Sequence, residues 1–351
     1  MVVTVEEILR EAVKAGASDV HISVGAAPKM RVNGALTEMS YSRLSAADTL
    51  SMLISIMTES QRGLFEERGE FDMSFGISSL GRFRVNAYKQ QGSVALAIRL
   101  VSTVVPTTES LGIPKSVAEL YQKKRGLILV SGEAGCGKSA TLAALLDRIN
   151  SLREVHVITL EDPVEFRHRH KMSLINQREI GLDCSGFVAG VEAALREDAD
   201  VILIGELRDL ETIGAAVTAA ETGRLVLASL HVPGVVNVVE RMIDLFPTYR
   251  QQQVRIRLAN VLEAVISQQL LPDKEGTGRT AAFEVLHVTR PVRNLIREGR
   301  LSQLPAAMQA GRKLGMTTMD EAIGKLLEEG KISKETAVWY AHEPEFLNGK
   351  I

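Results

Sequence analysis

Cysteine is nearly missing from this chain: its 351 residues include two, Cys136 and Cys184. Two thiols build no disulfide framework and no four-ligand zinc site. Aromatic residues make up 4%, and no stripe of interleaved aromatic and basic side chains stands out of the kind that holds single-stranded nucleic acid. A charge excess is also lacking, since 41 Lys and Arg stand against 43 Asp and Glu, a net charge of −2. That balance excludes a protein held to nucleic acid mainly by electrostatics. No apolar run approaches the about 18 residues that suggest a transmembrane helix. The first residues, Met1 to Glu7, turn acidic early and carry no hydrophobic signal core. The expected compartment is the cytoplasm. No internal repeat or low-complexity tract is visible.

What is present reads as a soluble globular protein, with 45% hydrophobic and 24% charged residues. A chain of this length suggests two or more domains. Val5, Ile8, Leu9, Ala12 and Val13 form a helical stripe, and Val20, Ile22 and Val24 then alternate with His21 and Ser23. Further alternation at Phe71-Met73-Phe75, Phe83-Val85-Ala87 and Leu96-Ile98-Leu100, helices within about Ser45–Glu67 and a turn at Asn33-Gly34 predict an α+β domain over residues 1–103. Residues 104–115, with two prolines and no periodicity, read as a linker. From Ser116 onward, β and α alternate. Near-continuous apolar strands at Leu127–Val130, Val155–Leu160, Val201–Ile204 and Leu225–Leu230 predict a parallel sheet covered on both faces. Thr280–Leu286 reads as another strand. Residues 287–351 read as a helical part of the same 116–351 domain.

The first of these strands runs into Gly132-Glu-Ala-Gly-Cys-Gly-Lys-Ser139, which fits the spacing G-x-x-x-x-G-K-S. Glycines in that pattern let backbone N–H groups close around a phosphate. Lys138 then reaches the β/γ oxygens, and the Ser139 hydroxyl can ligate Mg²⁺. Leu142, Leu145, Leu146 and Ile149 mark the amphipathic helix that such a loop requires, with its positive end at the anion. The nucleotide-binding candidates are Gly132, Glu133, Ala134, Gly135, Cys136, Gly137, Lys138, Ser139 and Ala140. ATP and Mg²⁺ are the expected ligands. Cys136 has two readings. The helix dipole and Lys138 favour a reactive thiolate, whereas a small buried side chain filling a slot would be inert.

Ligands of open parallel sheets bind at the carboxyl ends of the strands. Val155–Leu160 ends in Glu161-Asp-Pro-Val-Glu165, Val201–Ile204 in Gly205-Glu206, and Leu225–Leu230 in His231. Phosphoanhydride hydrolysis needs a metal to neutralise developing charge and a group to orient or deprotonate water. Glu206 is the candidate acid beside Mg²⁺, Glu165 the candidate base, and His231 a candidate sensor of the γ-phosphate.

These residues resemble the PilT family of type IV pilus retraction ATPases, within the larger group of type II/IV secretion and pilus motors. The resemblance runs nearly end to end. It includes Ala17-Ser-Asp-Val-His-Ile22, Gly81-Arg-Phe-Arg-Val-Asn86, Ala97-Ile-Arg-Leu100, the acidic box Glu161–Glu165, the Walker B-like segment Ala194–Asp209 and the histidine box Thr218–His231. It implies a PAS-like N-terminal domain, a RecA-like ATPase domain and a homo-hexameric ring. It implies Glu165 as catalytic base and Glu206 as Walker B carboxylate. It also implies that Arg82, Arg84 and Arg99 of the first domain are donated to nucleotide. Arg82 and Arg84 share one face of a strand whose other face is apolar, so both project outward, and guanidinium forks suit phosphate oxygens.

The implied role is ATP-driven retraction of a pilus at the inner face of the cell membrane, with an inner-membrane platform protein and the pilin machinery as partners and without direct contact to nucleic acid. Val292-Arg-Asn-Leu-Ile-Arg-Glu-Gly299 resembles the family's retraction-associated signature, with Pro291 and Val292 in place of Ala-Ile. Two cysteines do not supply the tetracysteine zinc motif of the extension ATPases. The chain departs from the family pattern at Arg224, where a histidine is usual, in the Val-Pro-Gly after His231, and in the loop, which has Glu-Ala-Gly-Cys and Ala140. The alternatives are a related assembly or secretion ATPase, a nucleic-acid translocase on the same core, and a non-hydrolysing nucleotide-dependent subunit.

Overall fold

Short polar signals start most of the helices that frame the first sheet. Thr4 and Glu7 cap α1 (Val5–Lys14) reciprocally, Ser45 and Asp48 do the same for α2 (Ala46–Ile56), and Thr58 and Gln61 for α3 (Glu59–Arg68). Each box satisfies backbone N–H groups that the first turn cannot pair internally. The structure, a computed structural model, describes residues 3–32, 34–78, 80–101, 104–276 and 278–347. Met1, Val2, Asn33 of the expected turn, Thr103 and the last four residues lie outside the described ones. The chain divides into two compact units, residues 1–104 and 105–351.

In the first unit, β1 (Asp19–Ile22), β2 (Lys29–Val32), β3 (Ala35–Glu38), β4 (Glu70–Ile77), β5 (Gly81–Gln90) and β6 (Ser93–Val101) form one sheet in the order β3-β2-β1-β6-β5-β4. Every pairing in it is antiparallel. Val20, Ile22, Phe83, Val85, Leu96 and Ile98 are buried with Ile8 and Leu9 of α1 and Leu53 of α2 in a single core. The intervening residues face the other way, as the two-residue period of a strand demands.

The second unit opens with residues that pack at once. Ile113 and Val117, the latter on the short α4 (Lys115–Ala118), are buried against the following sheet. That sheet contains β7 (Gly126–Ser131), β8 (His156–Glu161), β9 (Leu174–Glu179), β10 (Val201–Ile204), β11 (Leu225–Leu230), β12 (Leu262–Pro272) and β13 (Arg279–His287). Its order is β13-β12-β7-β11-β10-β8-β9. All pairings are parallel except β12 with β13. All residues of β7, β10 and β11 are buried, because α5 (Lys138–Leu152), α6 (Phe187–Arg196), α7 (Leu210–Glu221), α8 (Val235–Asp244) and α9 (Thr248–Val261) flank the sheet. The helices α10 (Arg290–Glu298), α11 (Leu304–Ala310), α12 (Met319–Glu328) and α13 (Lys334–Tyr340) follow.

Two strands differ from the sequence expectation. β9 is a polar edge strand, Leu174-Ile-Asn-Gln-Arg-Glu179, and lacks the apolar run that marks its neighbours. β12 follows α9 with no intervening loop, so no break announces it. No helix among the described residues is long and apolar enough to cross a membrane.

Candidate functional site

β7 delivers the phosphate loop, and α5 begins at Lys138 directly behind Gly137, whose φ is 93°. Gly132 has φ +138°, and a Cβ there would collide with the Gln268 carbonyl and lie 2.7 Å from the Cys136 sulfur. Only glycine fits both the conformation and the space. The Lys138 ammonium is buried and folds back on its own loop. It donates to the carbonyls of Gly132 at 2.9 Å and Glu133 at 2.8 Å. Burial lowers its pKa, while the nearby Glu206 and Glu165 carboxylates oppose that shift.

The ends of β10 and β11 meet this lysine. His231 Nδ1 lies 3.2 Å from Lys138 Nζ, and His231 Nε2 lies 3.5 Å from Glu206 Oε1. Lysine offers only protons, so Nδ1 accepts and Nε2 carries the ring hydrogen towards Glu206. Glu206 Oε2 in turn accepts from Arg208 Nε at 2.7 Å, and Arg208 Nη1 reaches Asp162 of the acidic box at 3.5 Å. Lys138, His231, Glu206, Arg208 and Asp162 thus form one connected polar row. At the end of β8, Glu161 is held by Thr159 Oγ1 at 2.6 Å and Gln177 Nε2 at 3.1 Å, and burial raises its pKa. Glu165 is exposed. The Ser139 hydroxyl and the Glu206 carboxylate are hard oxygen donors at this edge, of the type Mg²⁺ takes.

The remaining loop residues differ in placement. Glu133, Ala134 and Gly135 are exposed, and Ala140 is half-buried. Glu133 meets Lys138 through its carbonyl. Of the two readings of Cys136, the inert buried side chain is the one that fits. The side chain is 6% exposed, and burial pushes its thiol pKa up despite the Lys138 charge. The helix dipole and the ammonium act on a group that desolvation has already kept neutral.

Three residues behind the site carry no sequence motif. Gln268 of β12 is buried, donates to the Cys136 carbonyl at 2.7 Å and accepts from Thr141 Oγ1 of α5 at 2.7 Å. It braces the phosphate loop from outside. Its neighbour Ser267 accepts from Gly234 N at 2.8 Å, and Glu284, opposite Ser267 on β13, accepts from Val235 N at 2.9 Å. These two bonds hold the segment after His231. Burial raises the Glu284 pKa. The only advance signal is a polar run, Ser267-Gln-Gln269, within the apolar stretch Ala264–Leu271.

Arg82, Arg84 and Arg99 form a separate group on the open face of the first unit's sheet. Arg31, Asp19, Arg99, Arg84 and Ser74 stand in register across five adjacent strands. Arg99 Nε bonds Asp19 Oδ1 at 3.0 Å, and Arg82 Nη2 bonds Ser74 Oγ at 2.6 Å. Arg84 stands directly opposite Arg99, a like-charge pairing that costs stability. Arg224 precedes β11, so it lies at the edge of the second sheet away from the phosphate loop.

The family described as type II/IV secretion system protein matches residues 1–337. The "Type IV pilus retractation ATPase PilT" of Pseudomonas aeruginosa is 42% identical over 341 residues, 97% of this chain and 99% of that protein. The "Twitching motility protein" of Neisseria gonorrhoeae is 41% identical over 321 residues, 92% of this chain and 86% of its own. The crystal structure of the pilus retraction motor PilT with bound ADP superposes with a TM-score of 0.93 at 43% identity, covering 99% of both chains.

Proposed function

The chain belongs to the type II/IV secretion system protein family, and from that premise we propose that it is an ATP-hydrolysing motor that drives type IV pilus retraction. One observation supports this most directly: the phosphate-loop lysine, the strand-end histidine and the strand-end carboxylate form a contiguous row. The relatives named for pilus retraction and twitching span nearly the whole chain. In this reading the first unit is PAS-like over residues 1–103, residues 104–115 link it to the next, and residues 116–351 are a RecA-like ATPase domain.

The residues suit a magnesium nucleotide. The Gly132 cradle is one that a Cβ would fill, and the Ser139 hydroxyl has no hydrogen-bond partner among the described residues. Ser139 and Glu206 would hold Mg²⁺, which when bound neutralises charge developing on the phosphate oxygens. Lys138 supplies the cation to the phosphates. An anion in the cradle competes with the loop carbonyls for that ammonium, and His231 then loses its Nδ1 donor. Occupancy of the loop is in this way communicated to His231 and, through it, to Glu206. Glu165 orients and deprotonates the attacking water.

Arg84 and Arg99, with Arg82, serve a nucleotide held by a neighbouring copy in a homo-hexamer. The ring works in the cytoplasm against the inner-membrane platform of the pilus. The test is Mg-ATP turnover by the purified protein, with pilus retraction scored in cells. Glu165→Ala should still bind Mg-ATP, with a stabilisation of about 2.7 kcal/mol near 100 Kd. Its turnover should fall by about 10²–10⁴, and cells carrying it should extend pili without retracting them. Turnover at the wild-type rate overturns the assignment of Glu165. Robust turnover without any effect on retraction overturns the pilus reading.

A further inference from the structure

The Glu165 carboxylate makes no hydrogen bond or ion pair with the described residues, so its placement depends on the backbone that carries it. That backbone is held on both sides from one neighbouring strand. Val164 N donates to Glu179 Oε2 at 3.1 Å. Gln177 Nε2 donates to the Phe166 carbonyl at 2.8 Å, and Gln177 Oε1 accepts from His168 N at 2.8 Å. The same Gln177 nitrogen donates to Glu161 Oε1 at 3.1 Å. Gln177 therefore touches the Glu165 loop at two points.

The register explains how one side chain does this. β8 and β9 are parallel, with Thr159 beside Gln177 and Glu161 beside Glu179. At a two-residue period all four lie on one face, and the loop 162–168 passes over it. Two donors and one acceptor on a planar end are what a carboxamide has and a carboxylate lacks. A β9 that served only to close the sheet edge would need none of this polarity.

We propose that Gln177 is a positioning residue for Glu165, fixing the loop so that the carboxylate is aimed while remaining free of intramolecular partners. This rests on the reading of Glu165 as the general base. Small misplacement of a reacting group costs about 10²-fold, whereas nucleotide binding at the phosphate loop involves no part of the Gln177 network.

The experiment is a double-mutant cycle on the full-length protein, using Gln177→Met, Gln177→Glu, Glu165→Ala and Glu165→Ala combined with Gln177→Met. Binding of a non-hydrolysable ATP analogue is titrated first, and turnover is followed under single-turnover conditions so that slow variants are measurable. Gln177→Met should lower kcat by about 10- to 100-fold with analogue affinity and KM within about threefold. Gln177→Glu keeps the acceptor for His168 N but turns a carboxylate oxygen towards the Phe166 carbonyl and the Glu161 carboxylate, so its kcat should fall at least as far as that of Gln177→Met. In the Glu165→Ala background, Gln177→Met should cost nothing further. An equal loss in both backgrounds overturns the proposal, as does loss of analogue binding in both Gln177 variants, which would make Gln177 a support of the fold. Wild-type turnover by Glu165→Ala is a different outcome: it removes the base assignment, and the proposal with it.

Discussion

The two sheets of this chain bury their strands differently, and their chemistry follows. In the antiparallel sheet of the first unit, the central strands β1, β6 and β5 bury one face, and charged residues stand mid-strand on the other. Arg84 lies between buried Phe83 and Val85. In the second unit, β7, β10 and β11 are buried on both faces. A charge there would need a buried partner, so polar groups collect where the strands end. The difference has an energetic consequence. Mid-strand arginines on an open face can be replaced without disturbing a core, whereas Lys138 of the phosphate loop and Gln268 of β12 are buried against the loop they hold. Function and stability should separate in the first sheet and move together in the second.

The largest effect is expected at Lys138. Lys138→Ala removes the cation of the phosphate loop together with the donor to the Gly132 and Glu133 carbonyls. Turnover should fall by at least about 10²–10³, the loss seen when one donor aimed at developing charge is removed. Its unliganded melting temperature should change as well. Turnover within tenfold of wild type would contradict the assignment of this loop.

Arg84→Thr is the counterpart in the first sheet. Turnover of the purified protein should fall about 10- to 100-fold, the value of one charge-assisted hydrogen bond. The melting temperature should hold or rise slightly, because the like-charge pairing with Arg99 is gone. A clear loss of stability would break the contrast between the sheets. If mixing Arg84→Ala with Lys138→Ala subunits restores part of the turnover, the arginine acts on a neighbour's nucleotide. Verified mixed rings that stay inactive at every ratio argue against it.

A smaller effect concerns pH. His168 lies behind the Glu165 loop with its side chain 2% exposed, 3.8 Å from Asp147 and near Lys171. Burial holds its pKa down at about 4, with the Asp147 charge only partly opposing. The unfolded chain binds the proton near pH 6.5 and the folded chain does not, so stability is full above that pH and declines as pH falls towards 4. Between pH 7.5 and pH 5 the loss is about 2 kcal/mol. Thermal melts should show wild type losing more stability across this interval than His168→Gln. Equal losses in the two proteins would assign the acid sensitivity elsewhere.

Much of this arrangement is legible in the sequence because it is written locally. The phosphate loop is a contiguous run, and the apolar strands that end in Glu206 and His231 announce where those residues must emerge. Alternation around Phe83 and Val85 puts Arg82 and Arg84 outward without further information. The braces are different. Gln268 acts on Cys136 from 132 residues away, and Gln177 acts on a loop whose path depends on which strand pairs with β8. Neither has a local pattern, because each is defined by a neighbour supplied by the topology. The same reason explains Cys136. Lys138 and the helix start are visible beside it in the sequence, but the burial of its side chain is a product of the folded loop.

The smallest effect is expected at Arg224, where the chain departs from the family's histidine box. Arg224 precedes β11, and its carbonyl accepts from Gly126 N at 3.0 Å, at the start of β7. His231 follows the other end of β11. A strand rises about 3.3 Å per residue, so the seven steps across β11 separate the two by about 23 Å. Backbone bonds at Arg224 survive any ordinary substitution, and its buried Nε has no hydrogen-bond partner. Arg224→His should therefore leave the turnover of the purified protein within about twofold and its melting temperature unchanged or slightly higher, since an unpaired buried donor is removed. A tenfold change in turnover would show that the far edge of the sheet is coupled to the phosphate loop, and the division between a chemical edge and a structural edge would not hold.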